Sequence, residues 1–293
     1  MHARAERVGL LRRILGQVTR DPFATAGFCI YFLFAMVAIF ADQIATRDPL
    51  EILFQPNGRL ARNLPPGGVF LLGTTHLGHD IFSQLVWGAR SALVVGVTAA
   101  FFVVAVGTLV GLLAGYFGGW IDSLLMRLAD IALSIPFLPF VIVLTAFLKP
   151  STGNIVLAVA LLLWPNTARV IRSQVLTVRE RAYVEAARAT GAGDLRILFV
   201  HVAPNILPLS FLYGSIAIGW AILTEAAVSF LGFGDSKTVS WGFMLQDAFT
   251  SQALSRGSYH WFLPPGICII LVVVAGFFIS RGYEELLFPK LRD

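Results

Sequence analysis

Residues 183–208 read YVEAARATGAGDLRILFVHVAPNILP, and this stretch decides how the rest of the chain is interpreted. It is polar and helix-forming, and with its lead-in from Arg169 it contains six arginines. The chain on both sides of it is strongly apolar. A charged helical stretch between two apolar runs predicts a loop that leaves the membrane and returns to it.

The composition excludes an ordinary soluble domain. The 293 residues are 57% hydrophobic and 13% charged, with a mean hydropathy of +0.77. A helix needs roughly 20 apolar residues to cross a bilayer, and open sheet edges cannot be satisfied in lipid. The sequence therefore predicts an all-α integral membrane protein with six transmembrane helices and a cytosolic two-helix loop between the fourth and fifth. The candidate spans are 23–41, 91–115, 131–148, 154–171, 206–231 and 263–281.

The distribution of basic residues predicts the orientation. If the N-terminus is cytosolic and the spans alternate, 15 of the 22 lysines and arginines lie on the cytosolic side. Both termini and residues 172–205 are then cytosolic, while 42–90 and 232–262 are external. The net charge of +5 indicates this topology and contact with membrane lipid headgroups. It does not indicate nucleic-acid binding, because the basic residues are divided among short loops.

The chain is expected to form one domain after a short tail. Residues 1–22 are the cytosolic tail, and 23–293 form the transmembrane domain, with a first span at 23–41, an external loop at 42–90 and a five-helix core at 91–282. The amphipathic stretch before the second span predicts a helix lying in the outer membrane interface. Trp241, Tyr259 and Trp261 are expected to anchor the external segment 232–262 at the membrane interface.

Two short helices fit the loop at 178–204. The first covers about 178–190 and ends at Gly191, which suits the left-handed position after a helix. Glu185 can pair with Arg181 or Arg188 on its exposed face.

The second loop helix is expected to be capped by Asp194 and ended by Pro204. Pro208 then begins the return to the membrane. The apolar stripe of this helix must be buried against a neighbour, and it consists of Leu195, Leu198, Phe199 and Val202.

Three features of the spans invite functional interpretations. Glu225 is the one acid well inside a span, where it either faces the transport path or forms a structural hydrogen bond. Pro136 and Pro139 predict a kinked or broken third helix, which is either a hinge or a static bend.

The second span contains glycines at four-residue spacing, which lets helix backbones approach closely. This glycine stripe consists of Gly107, Gly111 and Gly115. It either packs within this chain or forms an interface with another subunit.

The order Glu185-Ala186-Ala187, Gly191 and Ala203-Pro204 resembles the "EAA" loop of bacterial ABC-importer permeases, which docks into the ATPase subunit. Residues 72–93 and 225–245 are similar to segments of the dipeptide, oligopeptide and nickel permeases, in particular the second, C-type permease of the pair. Thr75 and His79 depart from the usual Asp and Arg, and so the substrate stays open.

The resemblance implies four kinds of partner: a second homologous permease, two ATP-binding subunits, an extracytoplasmic solute-binding protein, and the lipid of the bacterial inner membrane. The chain has no G-x-x-x-x-G-K-[ST] loop, so ATP hydrolysis is expected in partners and no enzymatic activity or cofactor is assigned. His76 and His79 make an incomplete metal site, and no metal is assigned.

Peptide import is the favoured function. Import of nickel or a metal chelate by the same family, and a self-contained secondary transporter, stay as alternatives.

Overall fold

The computed structural model describes residues 21–235 and 237–287, and in these residues every regular element is helical. This confirms the all-α prediction, while the tail at 1–20 lies outside the described residues. The helices are α1 (Pro22–Ile39), α2 (Ala41–Ile44), α3 (Ile81–Phe117), α4 (Gly119–Ser134), α5 (Phe137–Leu148), α6 (Thr152–Val178), α7 (Ala182–Ala189), α8 (Asp194–Arg196) with a π-helical turn (Ile197–Val202), α9 (Ala203–Phe230), α10 (Trp241–Thr250) and α11 (Tyr259–Leu287).

Six membrane spans are present if one broken pair is counted as a span. Among the described residues, five helices are long and apolar enough to cross a bilayer. Helices α4 and α5 are long and apolar enough only when they are taken together. The axes of α4 and α5 differ by 83°. Because α5 has 12 residues, it is about 18 Å long and too short to cross a core of about 30 Å alone. The third span is therefore completed by α4.

The second span begins ten residues earlier than the sequence predicts. The amphipathic stretch does not lie in the membrane interface, because α3 is one continuous helix of 37 residues. The apolar face of its first turns, including Ile81 and Ala89, packs into a core with Trp241 and Met244 of α10. Burial against α10 replaces the membrane contact that the sequence pattern predicts.

The bundle core is built on α3, which packs against α6 and α9, while α9 packs against α11 and α11 against α1. Two tryptophans expected at the membrane interface are instead core residues. Trp241 and Trp261 are each 1% exposed, whereas Tyr259 is 55% exposed. The Trp241 indole donates to the Leu85 carbonyl (3.0 Å). Buried tryptophans usually find such a partner, and the sequence does not show which tryptophans are buried.

Candidate functional site

The turn after α7 has the geometry that the sequence predicts for Gly191. The helix covers Ala182–Ala189, and Gly191 follows it with φ +84°. The Gly191 N–H donates to the Arg188 carbonyl (3.0 Å), and the Ala192 N–H donates to the Ala187 carbonyl (3.1 Å). This is the Schellman pattern, in which the left-handed residue after a helix is usually glycine.

The loop is held against its own bundle along its inner side. Val184, Ile197, Leu198 and Val202 are fully buried in a cluster with residues of α3, α6 and α9. The register differs from the predicted stripe, because Leu195 and Phe199 are exposed and Ile197 is buried instead. Burial of this side fixes the direction in which the loop presents its other side.

Two polar contacts reinforce this placement. The Tyr116 hydroxyl, at the end of α3, donates to Asp194 Oδ1 (2.8 Å). The Arg179 guanidinium donates to the Gly115 carbonyl (2.8 Å). Asp194 therefore does not cap its helix as predicted; Gly193 is the N-cap and Asp194 binds α3.

The outer side of the loop combines small, apolar and acidic groups. Glu185 and Ala186 are exposed, and no ion pair involves Glu185 in the part of the chain that the structure describes. Tyr183, Leu195 and Phe199 are 40%, 64% and 52% exposed. Large exposed apolar side chains on a polar loop favour a surface that binds another protein.

Pro204 does not end the second loop helix. The helix continues from Asp194 through Pro204 and Pro208 to Phe230, with π-helical hydrogen bonding at Ile197–Val202. A π turn widens the backbone before the proline ring, which would otherwise clash with the preceding turn. The Asn205 amide also donates to the His201 carbonyl (2.7 Å). The second loop helix and the fifth span are thus one continuous helix.

Glu225 lies near the end of α9 that is remote from the loop, and its side chain is buried. The Ser229 hydroxyl donates to Glu225 Oε1 (2.6 Å), and the Ser240 hydroxyl, just before α10, also contacts the carboxyl group. These two contacts match the structural hydrogen-bonding interpretation, and the role in a transport path stays a prediction.

The third span breaks where the sequence places its prolines. The break at Ile135 and Pro136 separates α4 from α5, and Pro139 lies in the first turn of α5. Whether these prolines act as a hinge on the path stays a prediction.

The glycine stripe of α3 faces α6 of the same chain. A Cβ at Gly111 would lie 2.7 Å from the Ala168 carbonyl oxygen and 2.7 Å from Ile171 Cβ, both on α6. A Cβ at Gly107 or Gly115 would meet other α6 side chains at the same distance. Because these distances are shorter than real Cβ contacts, the two helices need glycine here.

Two ion pairs that sequence reasoning missed join α4 to α6. Arg172 forms two hydrogen bonds to Asp122, each 2.5 Å long. Arg169 binds Asp130 at 2.5 Å. The spacing of these residues in the sequence could have indicated the ion pairs. The two aspartates are eight residues apart and share one face of α4, and the two arginines are three residues apart and share one face of α6.

A polar contact joins the segment before α3 to α10 at the end remote from the loop. His76 Nδ1 lies 3.3 Å from Asp247 Oδ1, and its ring stacks on Trp261 at 5.9 Å. Burial raises the pKa of Asp247, and His76 partly opposes this shift. Burial also lowers the pKa of His79, with a further contribution from His76.

Six spans with a docked two-helix loop define a multi-pass subunit of a membrane transporter. The chain belongs to the family described as "Binding-protein-dependent transport system inner membrane component", whose model matches residues 107–293. This confirms the resemblance to an ABC-importer permease.

Two relatives and one solved structure support this assignment. The chain is 36% identical over 283 residues to the dipeptide transport system permease protein DppC of Alkalihalophilus pseudofirmus, covering 96% of this chain and 90% of the relative. It is 35% identical to the glutathione transport system permease protein GsiD of Pectobacterium atrosepticum, covering 94% and 89%. An inward-facing structure of the MetNI methionine ABC transporter shares the fold, with a TM-score of 0.55 and 17% identity over 70% of this chain and 95% of that chain.

Proposed function

We propose that this chain is one of two permease subunits of an ATP-driven peptide importer. One of two separate ATPase subunits binds the loop at 178–204, and an extracytoplasmic solute-binding protein delivers peptides to the opposite end. The relatives named for dipeptides and for glutathione support a peptide substrate. The chain and its partner permease then enclose the translocation path between them.

The two-sided loop is the observation that carries the proposal. Its inner side is buried against α3, α6 and α9, so it moves with these helices. Its outer side presents Glu185, Ala186 and Phe199 to solvent. A helix that is fixed to the spans on one side and open on the other can transmit movement of a bound ATPase to the bundle.

The proposed orientation follows from the basic residues. The loop end faces the cytosol, where ATP is available, and the end with α10 faces outward. The arginines of the loop then lie on the cytosolic side, as the positive-inside rule requires.

The proposal is tested with the reconstituted transporter, its binding protein and a dipeptide. Gly191→Val should abolish stimulated ATP hydrolysis and uptake, because a β-branched residue strains the left-handed backbone by about 1–2 kcal/mol and redirects α7. Glu185→Lys should have the same effect by reversing the charge of the outer side.

Gly193→Val is the matched control. Gly193 has φ −68° and ψ 153°, which valine adopts readily, and an added Cβ meets no atom within 4 Å. This variant should keep near wild-type stimulation. Normal stimulation in Gly191→Val and Glu185→Lys would refute the docking role of the loop.

A further inference from the structure

Two adjoining cavities form one groove beside the contact of α3 with α6. The upper cavity has a volume of about 500 Å³ and lies at the end of the bundle remote from the loop. The lower cavity has a volume of about 790 Å³ and follows the two helices toward their middle. Val94 and Thr152 line both cavities, so the two are continuous.

The lower part of the groove is apolar and as long as one leaflet of a bilayer. Its walls include Phe102, Val106 and Leu157, and Trp164 lies at its deep end. The twelve-residue distance from Thr152 to Trp164 along α6 corresponds to about 18 Å. Half of a hydrocarbon core of about 30 Å is about 15 Å. The groove therefore matches the depth of a single leaflet.

The mouth of the groove carries charges of both signs. Arg90, Lys237 and Asp48 line the upper cavity. Arg90 lies 5.2 Å above the Trp87 ring and 3.3 Å from the carboxylate of Asp42. Among the described residues Lys237 takes part in no ion pair. A zwitterionic headgroup complements this mixture better than an anion does.

The dimensions and polarity of the groove favour hydrocarbon chains over the other occupants. A partner helix is the alternative occupant, and the measurement below distinguishes it from a lipid. A peptide would place charged ends against apolar walls without hydrogen-bond partners, which is unfavourable.

We propose that the groove binds one phospholipid with an ethanolamine headgroup. Lys237 and Arg90 contact the phosphate, Asp48 contacts the ammonium group, and an acyl chain extends toward Trp164. The assignment to the outer leaflet rests on the proposed orientation of the transporter. The lipid fills the space between α3 and α6 that side chains leave open.

The test is native mass spectrometry of the assembled transporter, exchanged into an equal mixture of phosphatidylethanolamine and phosphatidylglycerol with identical chains. The wild type should retain one phosphatidylethanolamine per copy of this chain, at least fivefold over phosphatidylglycerol. Leu157→Trp fills the groove and should lower retention at least fivefold. Val97→Trp, on an exposed face of α3 outside both cavities, should retain the lipid.

A second variant tests the headgroup without altering the core. Asp48→Lys is on the surface and should abolish the preference for phosphatidylethanolamine while retaining a lipid. Equal retention in Leu157→Trp and Val97→Trp would overturn the proposal. Retention by the chain alone but not by the assembled transporter would also overturn it, since a partner helix then covers the groove. Failure of the subunits to copurify would contradict the proposed function instead, and the lipid count on this chain would still test the groove.

Discussion

Gly191 is the residue on which the shape of the loop at 178–204 depends. Its φ of +84° is unfavourable for any residue with a side chain, yet an added Cβ would meet no atom within 4 Å. The requirement for glycine therefore comes from the backbone and not from packing. Asparagine tolerates this conformation better than valine does, so Gly191→Asn should impair coupling less than Gly191→Val.

His79 makes the stability of the segment before α3 depend on pH. Its folded-state pKa is lowered from 6.5, first by burial and then by His76. The unfolded chain therefore binds more protons than the folded chain below about pH 6.5, and the stability contribution present above that pH is lost as the pH falls.

The prediction is that His79→Gln flattens the pH dependence of the melting temperature between pH 7.5 and 5.5. Melting is followed by tryptophan fluorescence in detergent. His201→Gln is the control, because His201 lies at the loop end of the bundle, remote from His79. An unchanged pH slope in His79→Gln would show that His79 protonation is not coupled to folding.

At the scale of elements, the pairing of α3 with α6 depends on the glycine stripe. Gly111→Leu should destabilise the protein by about 1–3 kcal/mol or more, because the helices must separate to accept the side chain. Gly266→Leu inside α11 is the control, since a Cβ there meets no atom within 4 Å. Thermal unfolding of both variants gives the comparison. A loss of stability that is equal in the two would mean that close contact at Gly111 is unimportant.

The preferences of glycine and proline predicted where helices end, wherever the local backbone conformation alone decides the end. The turn at Gly191 and the break at Pro136 follow from φ preferences and from the missing proline N–H. The same rules failed at Pro204, because a π turn lets the helix continue. A proline therefore signals strain in a helix without specifying how the backbone relieves it.

The remaining errors arise from tertiary contacts that a single sequence does not encode visibly. Trp241 is amphipathic and suits a membrane interface, but in the fold it begins α10 and packs against Gly88 of α3 and Phe34 of α1. The start of α3 likewise has an amphipathic pattern, and α10 covers its apolar face. Both errors have the same cause. An amphipathic sequence pattern shows that one face of a helix is buried, but it does not show whether lipid or another helix covers that face.

At the scale of the whole molecule, the orientation in the membrane is a testable consequence of the charge distribution. A cysteine at position 59 (Arg59→Cys) should react with an impermeant maleimide added outside, and a cysteine at position 188 (Arg188→Cys) should react only after the membrane is opened. Native Cys29 and Cys268 are replaced by alanine in both variants. Labelling of Arg59→Cys solely from the cytosolic side would reverse the proposed orientation.

The second helix of the loop and the fifth span form one long helix. The segment from Asp194 to Phe230 is continuous and joins the loop to the region of Glu225. In the proposed coupling, movement of a bound ATPase at the loop is transmitted along this helix.

The central claim is that the outer side of α7 contacts an ATPase subunit, and photo-crosslinking measures this contact directly. Ala186→Cys, in a chain without native cysteines, is labelled with a benzophenone maleimide in the assembled transporter and irradiated. The account predicts a covalent product of this chain with an ATPase subunit, and no such product from Thr250→Cys at the opposite end. Equal labelling of Ala186→Cys without any ATPase product would contradict the account.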